Sequence, residues 1–131
     1  MLISDEGILQ ALAELGSGDS SFDIRGIYDF DHMKEIQKES NKDPSLFGFI
    51  NDDRFIGAPS HPFNTNKEND CMHNKMLIIN DHTVITGSYN LSENAESNDE
   101  NVLVIRSTDV AAAYTKYFDI LYSAYNKKNE R

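Results

Sequence analysis

Cysteine is nearly absent from this chain: Cys71 is the only one in 131 residues. An internal disulfide is therefore excluded, and a reducing compartment suits the sequence. Basic residues are scarce as well, 12 Lys and Arg against 22 Asp and Glu, for a net charge of −10. Non-specific nucleic-acid binding depends on Lys and Arg neutralising phosphates, so this balance argues against a broad DNA-binding face. The same field repels anionic membranes at distances beyond the screening length of about 8–10 Å. Only a local cationic site fits such a protein. No apolar run approaches the roughly 20 residues needed to cross a bilayer, so no stable membrane insertion is expected. The opening Met-Leu-Ile-Ser-Asp-Glu has no basic segment followed by an apolar stretch. No secretory signal is visible, and a cytoplasmic location is expected. Zinc-type spacing of His or Cys is missing, and residues 64–70, though rich in oxygen ligands, lack the glycine and terminal glutamate of a calcium loop.

What remains is an ordinary globular composition, 39% hydrophobic and 26% charged, long enough to bury a core as one domain over residues 1–131. Ser4, Asp5 and Glu6 read as a helix start. Ile8, Leu9, Ala11, Leu12 and Leu15 form its apolar stripe, and Gly16 ends it. Phe22 to Asp29 alternates as a strand, residues 31–40 read as a polar surface helix, and Pro44 breaks the chain after it. Phe47 to Ile50 and Arg54 to Gly57 are expected as short strands. Ala58 to Asp70 is polar, holds two prolines and has no period, so it is expected as a loop beside whatever follows. Met76 to Ile79 and Thr83 to Gly87 read as a hairpin turning at Asn80-Asp81-His82, residues that suit left-handed backbone angles. Leu91 to Ser97 reads as a short helix or turn and Asn101 to Arg106 as a buried strand. Val110, Tyr114, Tyr117, Phe118, Leu121 and Tyr125 mark a long final helix ending in Lys127-Lys128. The order implies an α/β fold, a mixed central sheet flanked by helices on both faces.

Chemistry concentrates between residues 72 and 101. His73 and Lys75 stand two apart, so in a strand they share a face. A nucleophile or proton carrier beside a fixed cation suits an anionic substrate, a phosphodiester above all. The apolar hairpin follows, then Gly87-Ser88-Tyr89-Asn90, then Asn98-Asp99-Glu100-Asn101 at the entry to a strand. Cys71 precedes the pair and reads as a small half-buried strand residue. Of the other histidines, His32 falls on the polar helix, His61 in the long loop and His82 at the hairpin tip.

The pattern His-x-Lys, four residues, Asp, six residues, Gly-Ser-x-Asn (the HKD motif) is the signature of the phospholipase D superfamily. Residues 72–105 resemble it closely; upstream, only the layout of elements does. One position departs, since Asn80 stands where the family has Asp. At a hairpin tip that exchange reads as conservative and remote from a bound phosphate. The family's opening strand is reduced here to Leu2 and Ile3, as expected of a cut half-domain or a short form.

The resemblance implies a metal-independent, cofactor-free phosphodiesterase. His73 is implied as the nucleophile that forms a phosphohistidine. Glu100 is implied to hold the attacking tautomer, and Lys75, Ser88 and Asn90 to bind the phosphate oxygens as charge builds up. The chain has no second His-x-Lys, so the resemblance implies a homodimer pairing two motifs, or a second motif-bearing half in a longer chain. A small single-motif chain most resembles the family's nucleases. The alternatives are a phospholipase or phosphatidyltransferase half-domain, and a non-catalytic domain kept for dimerisation or binding. Nucleic acid and phospholipid both stay open as substrates.

Overall fold

The computed structural model describes residues 3–17, 23–39, 41–59 and 71–129. Leu2, Phe22 and residues 60–70 with His61, the greater part of the stretch expected as a loop, lie outside them, as do the side chains of Leu15, Lys127 and Lys128. The first helix, α1, spans Glu6–Ser17, one residue past Gly16. Its start is fixed by Asp5, whose Oδ1 accepts the Ile8 amide at 2.9 Å, meeting one of the donors a helix start leaves open. Strand β1 (Gly26–Asp29) runs straight into α2 (Phe30–Glu39). It is half the length that the alternation from Phe22 suggested, for residues 23–25 carry no strand pairing.

The strand expected at Phe47–Ile50 is instead a 3-10 helix, Pro44–Asn51. Asp43 dictates this by accepting Ser45 N at 2.9 Å with its side chain, and Pro44 supplies the first helical φ. The turn buries Phe47 and Phe49 with Ile3, Leu9, Tyr28 and Met33 in the main core. Tyr28 meets the Phe49 ring edge-on, centroids 5.7 Å apart, and donates its hydroxyl to Ile50 O at 3.3 Å.

Strand β2 (Phe55–Ala58) pairs in parallel with β1, Gly26 opposite Phe55 and Asp29 opposite Ala58. The hairpin β3 (Met76–Ile79) and β4 (Thr83–Gly87) stands where the sequence put it. Asn80 and Asp81 turn it at φ of 50° and 51°, angles that Asn and Asp tolerate best. Strand β5 (Val102–Arg106) pairs antiparallel with β4. A second 3-10 turn (Glu93–Ser97) precedes β5, and the final helix α3 (Thr108–Asn129) packs on β2, β3, β4 and β5. Parallel and antiparallel pairs together give the mixed α/β class expected, arranged among the described residues as a parallel pair and an antiparallel triple.

Strand β5 is not buried as expected. Val102, Leu103 and Val104 are each more than half exposed, because β5 is the outer strand of its sheet and pairs on one edge only. No helix among the described residues is long and apolar enough to cross a membrane.

Candidate active site

His73 and Lys75 do not lie in a strand: residues 71–75 are irregular, and β3 begins at Met76. The segment is held from two sides instead. Buried Asp29, at the carboxyl end of β1, accepts Met72 N at 3.2 Å and His32 N at 3.0 Å. Thr86 Oγ1 of β4 donates to Lys75 O at 2.9 Å. Asp29 thus caps α2 and ties down the entry to His73 at once. The sequence reading missed it. Its signal was present, an Asp placed directly before a helix.

His73 is exposed, and its imidazole makes no hydrogen bond to a described residue. Lys75 is half-buried and turns its ammonium back to donate to His73 O at 2.9 Å. Burial pushes the Lys75 ammonium below its ordinary pKa, while negative charge at Cys71 and Glu100 acts in the opposite direction. Unfolded chain therefore binds more protons than native chain in the alkaline range just below the ordinary lysine value of about 10.4. Wild-type stability should rise across that range relative to Lys75→Met, in urea titrations at successive pH values. A constant or falling difference would contradict the assignment. Cys71 is a free, exposed thiol, neither half-buried nor in a strand.

The second half of the motif is built at the β4–β5 end. Gly87 has φ of +156°, and a Cβ there would meet Asn101 O at 2.1 Å. Asn101 in turn receives Ser88 N on its backbone O at 3.1 Å and on Oδ1 at 2.8 Å. Ser88 Oγ accepts Asn101 N at 3.0 Å and donates to a Glu100 carboxylate oxygen. Only glycine allows so close a crossing of two backbones. Gly87→Ala should therefore cost about 1–3 kcal/mol by urea denaturation, since backbone atoms cannot rotate away. A midpoint equal to wild type would refute the packing.

The hairpin register sets Met76 opposite Thr86, so Lys75 and the Gly87-Ser88 turn share one end of the sheet. Glu100 lies close enough to influence the Lys75 charge. Its carboxylate is engaged by Ser88 and, at 3.5 Å, by Asn98 Nδ2, with no bond to the His73 ring. Asn90 is half-buried beyond Ser88, its backbone O accepting Ser92 N at 2.9 Å. Asn80 lies at the far end of β3, five residues from Lys75, a span of about 16 Å of extended chain. There it serves the turn. Tyr117 of α3 reaches the segment too, 3.3 Å from Asn74 Nδ2. His82 closes on Thr83 and His32 on α2 faces Asp29, Nδ1 to Oδ1 3.9 Å. Among the described residues no cluster of three or more His, Cys, Asp or Glu could hold a metal.

Lys75, Ser88 and Glu100 thus meet at one end of the antiparallel sheet, and the exposed His73 precedes them on the segment entering β3. The family model described as "Cardiolipin synthase, PLD-like domain" matches residues 2–122, and the chain belongs to that family within the phospholipase D superfamily. A 56-residue stretch, 42% of this chain, is 38% identical to mitochondrial cardiolipin hydrolase of Xenopus laevis. The match spans 27% of that relative's length. Among solved structures, NucT from Helicobacter pylori superposes with a TM-score of 0.58 over 95% of this chain and 74% of that one. At 22% identity the likeness is one of fold.

Proposed function

We propose that the chain is a metal-independent phosphodiesterase, nuclease-like, acting through a phosphohistidine on His73 in a homodimer. The observation that carries this is the convergence of Lys75, Ser88 and Glu100 at the end of the β3–β4 hairpin that His73 leads into. In the first step the neutral His73 ring attacks phosphorus; an N–P bond forms and the P–O bond to the leaving alkoxide breaks. The imidazolium of His73 in the second copy gives that alkoxide its proton. In the second step the same ring takes a proton from water, which attacks phosphorus and breaks the N–P bond. Lys75, Ser88 and Asn90 hold the non-bridging oxygens. For this to run, the Glu100 carboxylate turns from Ser88 toward His73 and leaves the Ser88 hydroxyl to the substrate. A reducing compartment, the cytoplasm, suits the one free thiol.

A phospholipid substrate is the second reading, with the chain as a phospholipase or phosphatidyltransferase half. It is favoured by the description of the matching family and by the name of the curated relative. Both readings share the site and the first step.

The test is hydrolysis of bis(p-nitrophenyl) phosphate in excess EDTA across a dilution series of the protein. EDTA-resistant turnover whose specific activity rises with protein concentration is expected of a site shared between two copies. Turnover abolished by EDTA, or none at any concentration, would overturn the proposal. DNA, RNA and cardiolipin vesicles then separate the two substrate readings.

A further inference from the structure

Residues 71–75 carry His73 and Lys75, yet among the described residues they have no strand ladder to hold them. Separate ties set their course instead. Two act on the backbone: Asp29 accepts Met72 N at 3.2 Å, and Thr86 Oγ1 donates to Lys75 O at 2.9 Å. Another is a side-chain bond between those two points. Asn74 Nδ2 donates to the Tyr117 hydroxyl at 3.3 Å and lies 3.6 Å from Met72 Sδ. Met72 is buried and Asn74 half-buried, whereas Cys71 and His73 are exposed. Side chains alternate between faces along extended chain, so Asn74 points inward where His73 points outward.

Tyr117 is itself well held. Tyr122, further along α3, donates its hydroxyl to Arg54 O at 3.1 Å. Arg25 donates to Asp119 Oδ1 at 3.0 Å, and its guanidinium lies 5.3 Å from the Phe118 ring centre and 5.4 Å from that of Tyr122. The helix also packs on the β3–β5 sheet. It is thus fastened to both sheets, and of the two partners the irregular segment is the one that yields.

From this geometry we infer that Asn74 and Tyr117 are positioning residues: their bond sets the direction from which the His73 ring meets phosphorus. The inference rests on the phosphodiesterase reading above. Attack needs the reacting atoms about 3–3.5 Å apart and aligned, and a misplacement of about 1 Å can cost a hundredfold in rate. Asp29 and Thr86 fix the two ends of the segment, which leaves the lie of the chain between them to Asn74. Lys75, Ser88 and Asn90 hold the phosphate in that reading, and Lys75 keeps its own tie to Thr86. Losing the Asn74–Tyr117 bond therefore disturbs attack more than binding, and kcat falls while KM stays.

The test removes one oxygen. Tyr117→Phe deletes only the hydroxyl of a side chain that is 45% exposed, so the urea midpoint should not move. With bis(p-nitrophenyl) phosphate, kcat is expected to fall about tenfold or more and KM to stay within about twofold. Asn74→Ala should do the same, and the double variant should lose no more than the worse single one, because both remove one bond. An unchanged kcat in Tyr117→Phe, a loss confined to KM, or multiplied losses in the double variant would overturn the inference. Amide exchange followed by NMR needs no turnover and judges the tie by itself. In Tyr117→Phe the Met72 amide should exchange about threefold faster or more, with β4 and β5 unchanged. If the wild type proves inactive, the phosphodiesterase reading falls while that faster exchange upholds the tie. Unchanged exchange at Met72 would overturn the inference whether or not the wild type turns over.

Discussion

His73→Asn is expected to lower phosphodiester turnover at least about a thousandfold, the scale on which loss of a covalent nucleophile is felt. Asparagine is close to imidazole in size and polarity, and His73 is exposed and bonded to no described side chain. Stability should therefore stay within about 0.5 kcal/mol of wild type, as for other surface changes. That split between lost turnover and intact folding separates a nucleophile from a structural histidine. If the motif survives only as a relic of dimerisation or binding, the variant changes neither property. A variant that loses activity and stability in proportion would count against the proposed role equally.

Asp29→Ala should give the largest loss of stability, about 2–4 kcal/mol in urea titrations. Two effects add. The α2 cap to His32 N is worth about 1 kcal/mol, and leaving the Met72 N–H buried without an acceptor costs about 1–3 kcal/mol more. Burying the carboxylate has its own desolvation cost, which the alanine removes. With the side chain 3% exposed and accepting from at least these two amides, the lost bonds outweigh that relief. Asp29→Asn should fall between, since Asn caps helices well but can offer only one of its side-chain ends as acceptor. A change below about 0.5 kcal/mol in the alanine variant would show that Asp29 does not hold the segment entering His73.

The hairpin was legible in the sequence to the residue. An apolar run on either side of Asn80-Asp81-His82 fixes the register, and the turn demands left-handed angles that Asn and Asp accept. The long helix α3 was legible from its stripe, although Ala111, the one fully buried position among its described side chains, is too small to stand out. The run Leu46-Phe47-Gly48-Phe49-Ile50 was not legible, because a short apolar run fits a strand and a tight helix equally and Asp43-Pro44 decides between them. Strand β5 was misread in burial for a related reason. Four consecutive apolar residues imply cover on both faces, yet in the single chain Val102, Leu103 and Val104 lie open.

The motif residues themselves were legible, but not their wiring. Spacing could not reveal that Lys75 folds back onto His73 O or that Ser88, Glu100 and Asn101 bond to one another. The bonds among Ser88, Glu100 and Asn101 accompany the close approach of two backbone segments at Gly87, 14 positions from Asn101, which no local pattern displays. Asp29 was legible as the cap of α2 but not as the tie to the His73 segment, because Met72 lies 43 positions away.

The central claim is that His73 carries the phosphoryl group, and the most direct test is to catch it there. Protein turning over bis(p-nitrophenyl) phosphate would be quenched in alkali, where phosphohistidine survives, digested, and its peptides weighed. A phosphoryl ester on the peptide bearing His73, absent from His73→Asn, is the result expected. Active protein with no adduct at His73, or with one on another residue, would contradict the account.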